Sequence, residues 1–559
     1  MMKFSNTEKI LLALAVGLGV FIRLLNLGAI PLSDSEARWA LQALDLSRGL
    51  RPQIGPTPGY VTLTAALFYL FTASDALARL IPALAGSALV LAPLFFTRII
   101  PPRAAVFLAF GLAIDPGLVA LSRTAGSSMM AISFLILAAG LWLSERPRAA
   151  GILAGLAVLS GPALWSGLLT LLIAGLIWRG LAAGPGALPR PAGASLRQAG
   201  LSALITFLVA GSLLLTAPHG LSAALTAPLA FLQGWFAPTG APFTRLLIAI
   251  PAYHLLPLVF GLAGLVRGWR EKDPLTPALG IGLGVAFALA VAAPGRQVTD
   301  LAWAVLPLWA LAARELARLL DDFSFANGEA LGAAGLTLAI LVFAWLDLAS
   351  ISAGLDANTI TLRLGLFAGA LVLLGLSLLL VALGWSVKTA RLGGASGVLA
   401  ALVIFTLAAA WGAGGLRTTR TPEMWRAEPS IDQAALLTQT INQLSEWKRG
   451  TPASLPITVL GLDSPALTWA LRPYAVRQSN VYDASLSAPL IISYDDPNLT
   501  FGQTYRGQDF FWRTTPAWDT ASLTDWIDWL TRRKIPTAQD KIILWASADI
   551  FPGAATTQP

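Results

Sequence analysis

The chain has 559 residues, 56% of them hydrophobic and only 12% charged, with a net charge of +8 and a mean hydropathy of +0.69. At that composition, successive apolar runs of about 17 to 25 residues read as membrane-spanning helices, because lipid cannot satisfy an open backbone. There is no cysteine and there are only two histidines, His219 and His254, which excludes disulfides, thiol chemistry, Cys-ligated metal centres and a His-rich site. The basic residues sit in short loops, so nucleic acid is not an expected partner.

In chain order, the first predicted span covers residues 10–28. It is too long for a signal-peptide core and lacks an A-x-A-like cleavage site, so it reads as a retained anchor. Residues 29–78 follow as an acidic outer loop that opens IPLSDSEARWALQALDLSRG. Within it, 59–72 is apolar but short and comes after Pro52, Pro56 and Pro58. Further spans are predicted at 79–97, 104–121, 128–144, 148–161, 163–178, 200–217, 244–266, 275–293, 301–319, 330–350, 363–385 and 396–413, about thirteen crossings in all. If 59–72 does not cross, one side collects Lys3, Lys9, Arg98, Arg103, Arg146, Arg148, Arg179, Arg190, Arg197, Arg267, Arg270, Lys272, Arg314, Arg318, Lys388 and Arg391. The other side keeps only scattered arginines such as Arg38, Arg48, Arg51, Arg123 and Arg296. The excess of Lys and Arg on cytoplasmic loops then puts the amino terminus in the cytoplasm and makes 59–72 a re-entrant or interfacial helix.

Residues 184–197 read as a Gly/Pro/Ala-rich linker. From about residue 415 the chain turns polar, which divides it into a membrane domain, 1–414, and a tail, 415–559. Strand-like runs at 455–460, 488–493 and 541–545 lie among amphipathic helices at about 429–448 and 521–534. The helices would bury Ala434, Leu437, Ile441 and Leu444 in one case and Leu523, Ile527 and Leu530 in the other. The expected architecture is an α-helical polytopic membrane protein of the plasma membrane carrying a small exocytoplasmic α/β domain.

The acidic loop holds the candidate chemistry, and each residue also has a plain reading. Asp34 or Glu36 would act as a base towards an acceptor hydroxyl. Equally, Ser33-x-x-Glu36 is a capping box, and Asp34 with Arg38 is an i,i+4 ion pair. Arg123, in SRTAGSS, and Arg296, in PGRQVTD, are placed on the same side as the loop and suit a lipid phosphate; the plain reading is snorkelling at the interface. His254, inside PAYHLLP, is either a substrate-site residue or a buried polar partner for a neighbouring helix. Tyr60 is either a substrate contact or, with Trp39, Tyr69 and Trp235, part of an aromatic belt.

Several segments together resemble the GT-C superfamily of integral-membrane glycosyltransferases, most nearly its flippase-associated, dolichyl-phosphate-mannose mannosyltransferase-like group. They are Ser35-Glu36-Ala37, where that group has Asp-Glu-Ala; Gly55-Pro56; LTAALFYLFTASDALARLIPALAG at 63–86, the most specific; PGLVALSR at 116–123; IPAYHLLPLVFGLAGLVRG at 250–268; LPL at 306–308; and SPALTWALRPY and IILWASADIF in the tail. The resemblance implies a GT-C-like fold, a juxtamembrane helix at 59–72 and a catalytic carboxylate in the first outer loop. It also implies a sugar donor on a polyprenyl phosphate or diphosphate, with membrane lipids and a glycan or protein acceptor as the other partners. The chain departs from that pattern at Ser35, Ile54, Ser128, His254 and Gly295-Arg296. Too few oxygen ligands remain at matched positions to expect a metal, and no cofactor is implied. Two functions follow: a membrane glycosyltransferase with Asp34 or Glu36 as base and Arg38, Tyr60, Arg123, His254 and Arg296 around the substrate, or a catalytically degenerate relative that handles lipid-linked glycans.

Overall fold

The structure, a computed structural model, describes residues 4–181, 193–237, 240–322, 328–351, 357–417, 421–479, 488–496 and 499–551. Helix α1 (Asn6–Leu24) and helix α2 (Asp34–Ser47) each begin with a capping box, Ser5 with Glu8 and Ser33 with Glu36. Helix α3 (Pro58–Leu70) starts on a proline that needs no N–H partner. At 13 residues it rises only about 20 Å, short of the ~30 Å hydrocarbon layer. Then come α4 (Asp75–Leu89), α5 (Pro102–Ile114), α6 (Pro116–Ser122), α7 (Ser128–Leu143), α8 (Pro147–Val158), α9 (Pro162–Leu181), α10 (Gly193–Gly211) and α11 (His219–Gly234). The membrane part closes with α12 (Phe243–Arg270), α13 (Leu275–Ala292), α14 (Ala302–Asp322), α15 (Gly328–Ile351), α16 (Ala357–Gly384) and α17 (Val387–Ala413). Among the described residues eight helices are long and apolar enough to cross a membrane, or nine if α5 and α6 form one bent span. Helices α1 and α14 are long enough but carry Glu8, Lys9 and Arg23 in one case and Arg314, Glu315 and Arg318 in the other. The protein is a multi-pass membrane protein.

Three sequence expectations are corrected. The span predicted at 104–121 is broken, with α5 and α6 meeting at 56°. Pro116 lacks the N–H that would pair with the Leu112 carbonyl, and the bend leaves that of Ala113 open; both accept from the Arg23 guanidinium, at 2.9 and 3.0 Å. Asp115 caps the new helix through the Leu118 N–H at 2.8 Å. The span predicted at 200–217 stops at Gly211, and α11 follows as a helix the sequence reading missed, because Pro218, Gly220 and Pro228 mimic a loop. The linker expected at 184–197 lies outside the described residues up to 192, and its remainder begins α10.

Membrane helices meet through small residues. A Cβ on Gly111 would lie 2.3 Å from the Trp309 ring, and one on Gly264 2.8 Å from the Leu311 carbonyl. Such close approach supplies the dispersion contact that holds helices together where lipid provides no hydrophobic drive.

The tail is a small α/β domain around one mixed sheet of order β1-β5-β6-β4-β2-β3, formed by β1 (Ser430–Ile431), β2 (Ile457–Leu460), β3 (Val476–Ser479), β4 (Leu490–Tyr494), β5 (Tyr505–Pro516) and β6 (Thr537–Ser547). β2 runs parallel to β3 and β4, and the remaining pairs are antiparallel. The three expected strands are β2, β4 and β6; β5 was missed because charges and a bulge at Phe511/Arg513 interrupt its alternation. Helix α18 (Ala434–Arg449) buries all four expected residues. Two further helices complete the tail, α19 (Pro465–Ala470) and α20 (Leu523–Arg532). In α20 the expectation fails at Leu523, which is 74% exposed, and the fully buried anchor is Trp529. Its ring packs on Trp518, Trp526 and Tyr253 of α12, and its Nε1 donates to the Pro422 carbonyl at 2.8 Å. This residue therefore clamps the tail onto the membrane helices. Trp529→Ala is expected to cost about 3–5 kcal/mol, read as a lower unfolding temperature and as faster proteolysis near residues 415–430.

Candidate functional site

The site is built where the first turn of α2 meets the segment that leaves α17. The Ser33 N–H donates to Glu36 at 3.0 Å, closing the capping box. Glu36 also takes Nε and Nη2 of Arg79 at 2.8 and 2.7 Å and the Ala125 N–H at 2.7 Å. Both of its oxygens are occupied and buried. Burial alone would push this carboxyl up; the Arg79 charge and hydrogen bonds, with the amides of Ala125 and Ser33, hold it below the usual carboxylate range. Arg79 in turn donates to the Ile30 carbonyl at 2.6 Å, so the pair pins the loop entering α2.

Asp34 faces the tail. It accepts from Ser464 Oγ at 2.6 Å, the Ala466 N–H at 3.0 Å and Arg513 Nε and Nη2 at 2.8 and 2.7 Å. The expected pair with Arg38 does not form; Arg38 is exposed and has no ion pair among the described residues. A forked guanidinium plus a backbone amide outcompetes a solvated i,i+4 pair worth a few tenths of a kcal/mol.

Other expected residues are placed elsewhere. Tyr60 is fully buried and donates to the Ala78 carbonyl at 2.8 Å, so it offers no surface to a substrate. Arg123 donates to Gly414, Ile22, Arg23, Leu25 and Asn26 carbonyls at 2.6–3.2 Å, which satisfies the end of α1 rather than leaving a guanidinium for phosphate. Arg296 ties its loop to the Ala241 and Val291 carbonyls at 3.0 and 3.1 Å, and none of these contacts reaches α2. His254 sits at a kink in α12, φ −115° and ψ 30°, between Pro251 and Pro257. Its Nδ1 lies 2.9 Å from Asp115, which also accepts from Trp309 Nε1 at 2.8 Å, and its buried Nε2 has no partner among the described residues.

What the sequence reading missed is the segment after α17. Gly412, Gly414 and Gly415 close the helix. Gly415 has φ +68°, and a Cβ there would lie 2.2 Å from Arg426 Nη2. Tyr253 donates to Glu423 at 2.5 Å and accepts from the Met424 N–H at 3.0 Å, and Arg533 Nε is 3.8 Å from Glu423. The half-buried Arg426 guanidinium has no hydrogen bond among the described residues. Burial, then the Arg79 charge, pulls it below the ordinary guanidinium value, opposed by Glu36 and Glu423. Glu428 accepts the Ser35 N–H at 2.8 Å through Oε2, while its Oε1 has no partner among the described residues. The signal was present: TPEMWRAEP is a charged run directly after the last membrane helix, matching the acidic run after the first. Gly415→Ala is expected to displace Arg426 and strain the turn, lowering the unfolding temperature and any activity that uses the cation; Gly412→Ala should also lower the unfolding temperature, because its Cβ meets Glu423 at 2.6 Å.

Among the described residues no three His, Cys, Asp or Glu converge as metal ligands. No protein-family model and no curated protein matches this sequence. Solved structures do. ArnT from Cupriavidus metallidurans bound to undecaprenyl phosphate is similar over 98% of this chain and 99% of its own, with TM-score 0.55 at 15% identity. Its apo state gives 0.55 at 16% identity over 97% and 99%. The Archaeoglobus fulgidus oligosaccharyltransferase gives 0.40 at 16% identity over 85% of this chain and 64% of that one. At these identities the likeness to ArnT shows a shared fold, and it is the GT-C fold that the sequence resembles.

Proposed function

We propose that this multi-pass membrane protein of GT-C fold transfers a sugar from a polyprenyl-phosphate-linked donor to a glycan or protein acceptor on the outer face of the membrane. The fold is shared end to end with ArnT, whose structure holds undecaprenyl phosphate, and that supports the donor class. The observation that carries the reading is the pair Arg426 and Glu428, a cation and a carboxylate oxygen without partners among the described residues, two positions apart and seated against α2. An acceptor hydroxyl attacks the anomeric carbon, and the bond from that carbon to the phosphate oxygen breaks. The phosphate departs with the electron pair, its charge met by Arg426, and the acceptor proton passes to Glu428. Of the carboxylates expected from the sequence, Asp34 is the more accessible, with 23% of its side chain exposed against 7% for Glu36. Asp34 holds the tail, and Glu428 with it, over the site; Glu36 holds the loop.

One observation favours a second reading. Asp34 and Glu36 both have closed sets of partners, as expected of a degenerate relative that binds lipid-linked glycans without chemistry. Membranes containing the full chain, supplied with a labelled sugar on undecaprenyl phosphate, separate the two. Label moved to an acceptor supports transfer. Donor bound and returned unchanged, across donors carrying different hexoses, supports the binder.

A further inference from the structure

The end of the helical bundle away from the tail carries a feature that sugar transfer does not use. Two adjoining hollows of about 280 and 630 Å³ lie between α12, α14 and α17 and share Ala263, Arg267 and Arg391. The deeper one is walled by Val259, Phe260, Leu319 and Val398; the outer one opens past Leu262 and Val266 to Arg270. Trp269 and Trp385 stand exposed at the same end, at the level where aromatic side chains mark the membrane–water boundary. The hollow is thus apolar on its hydrocarbon side and net cationic at its mouth, where Arg267, Arg270 and Arg391 outnumber Glu271.

The charges are not all committed to one another. Arg267 pairs with Glu315 at 2.8 Å, Arg318 with Glu271 at 3.0 Å and Arg314 with Asp273 at 2.7 Å. Arg270, exposed at the mouth, has no ion pair among the described residues. Glu315 is buried, and its Oε2 lacks a hydrogen-bond donor among the described residues. A ligand that fits must bring an acyl chain for the apolar wall and a net negative headgroup for the arginines at the mouth.

We propose that this groove binds an anionic phospholipid of the phosphatidylglycerol class, chain along Val259 and Phe260 and phosphodiester on Arg270 at the mouth. Lipid is the one molecule that supplies both halves at this depth. The proposal rests on the membrane reading of the fold and not on sugar transfer.

The test uses the full chain in neutral detergent, titrated with dioleoylphosphatidylglycerol or, separately, dioleoylphosphatidylcholine, with bound lipid counted by native mass spectrometry. One retained phosphatidylglycerol is expected, at several-fold higher occupancy than phosphatidylcholine. Arg270→Gln, at an exposed position, should lower that preference about fivefold, and Ala263→Phe, which fills the shared wall, should remove the adduct while the unfolding temperature stays at the parent value. Equal occupancy by both lipids overturns the proposal. So does an adduct that survives both substitutions undiminished in folded protein.

Discussion

Replacing Glu428 by glutamine is expected to lower sugar transfer by about 10²–10⁴-fold, the range for loss of a general base, with little change in stability. Glutamine keeps the shape and an oxygen for the Ser35 N–H, which Glu428 accepts at 2.8 Å, so the contact between tail and α2 persists. What it loses is the ability to take a proton. Asp34→Asn should behave differently. Asp34 receives both Arg513 nitrogens, and neutralising it leaves that charge-assisted fork weakened, so the tail should loosen and activity fall together with stability. Donor binding separates the roles further: Arg426→Ala should weaken binding of the polyprenyl phosphate, whereas Glu428→Gln should leave it intact. Parent-rate transfer by Glu428→Gln would remove Glu428 from the mechanism. A large loss confined to Asp34→Asn in fully folded protein would move the base to Asp34.

The second large effect belongs to Glu36 and Arg79. Glu36→Gln strands a buried guanidinium, and breaking such a pair from one side costs about 3–5 kcal/mol. The double change Glu36→Gln with Arg79→Met should recover part of that loss, because no uncompensated charge remains. Acid should reproduce the single variant. The folded carboxyl is held below its unfolded value by Arg79 and two amides. Its contribution is therefore complete above the unfolded value of about 4.3 and is lost as pH falls through the lower folded value. Thermal denaturation from pH 7 downward should show a steeper acid limb in the parent than in Glu36→Gln. Identical limbs would mean that the pair adds nothing to stability.

Several features were written locally. The capping box Ser33-x-x-Glu36 needs only a three-residue spacing, and it is present. The buried face of α18 follows from apolar residues at helical period. The multi-pass membrane fold follows from composition and run length, and the likeness to ArnT agrees with it. Where a local rule competed with a distant partner, the distant partner won. Leu523 kept its helical phase but lost the core to Trp529, whose larger ring finds Tyr253 of α12 and the Pro422 carbonyl.

Hydrophobic periodicity and short-range hydrogen bonding encode most of the membrane helices, the α/β tail and the acidic turn after the first helix, all legible without the fold; the break at Pro116 and helix α11 are not. The tertiary structure decided which polar groups are occupied. Arg123 closes the end of α1, Arg23 satisfies the carbonyls left open at the Pro116 bend, Asp34 holds Arg513 from nearly the other end of the chain, and Glu36 holds Arg79. A buried donor or acceptor takes whichever partner the fold brings within 3 Å, because leaving it unpaired in a lipid-facing protein is so costly. Periodicity carries no record of those partners, so only the folded chain separates the carboxylates and arginines that hold it together from the Arg426 guanidinium and Glu428 Oε1, which have no hydrogen-bond partner among the described residues.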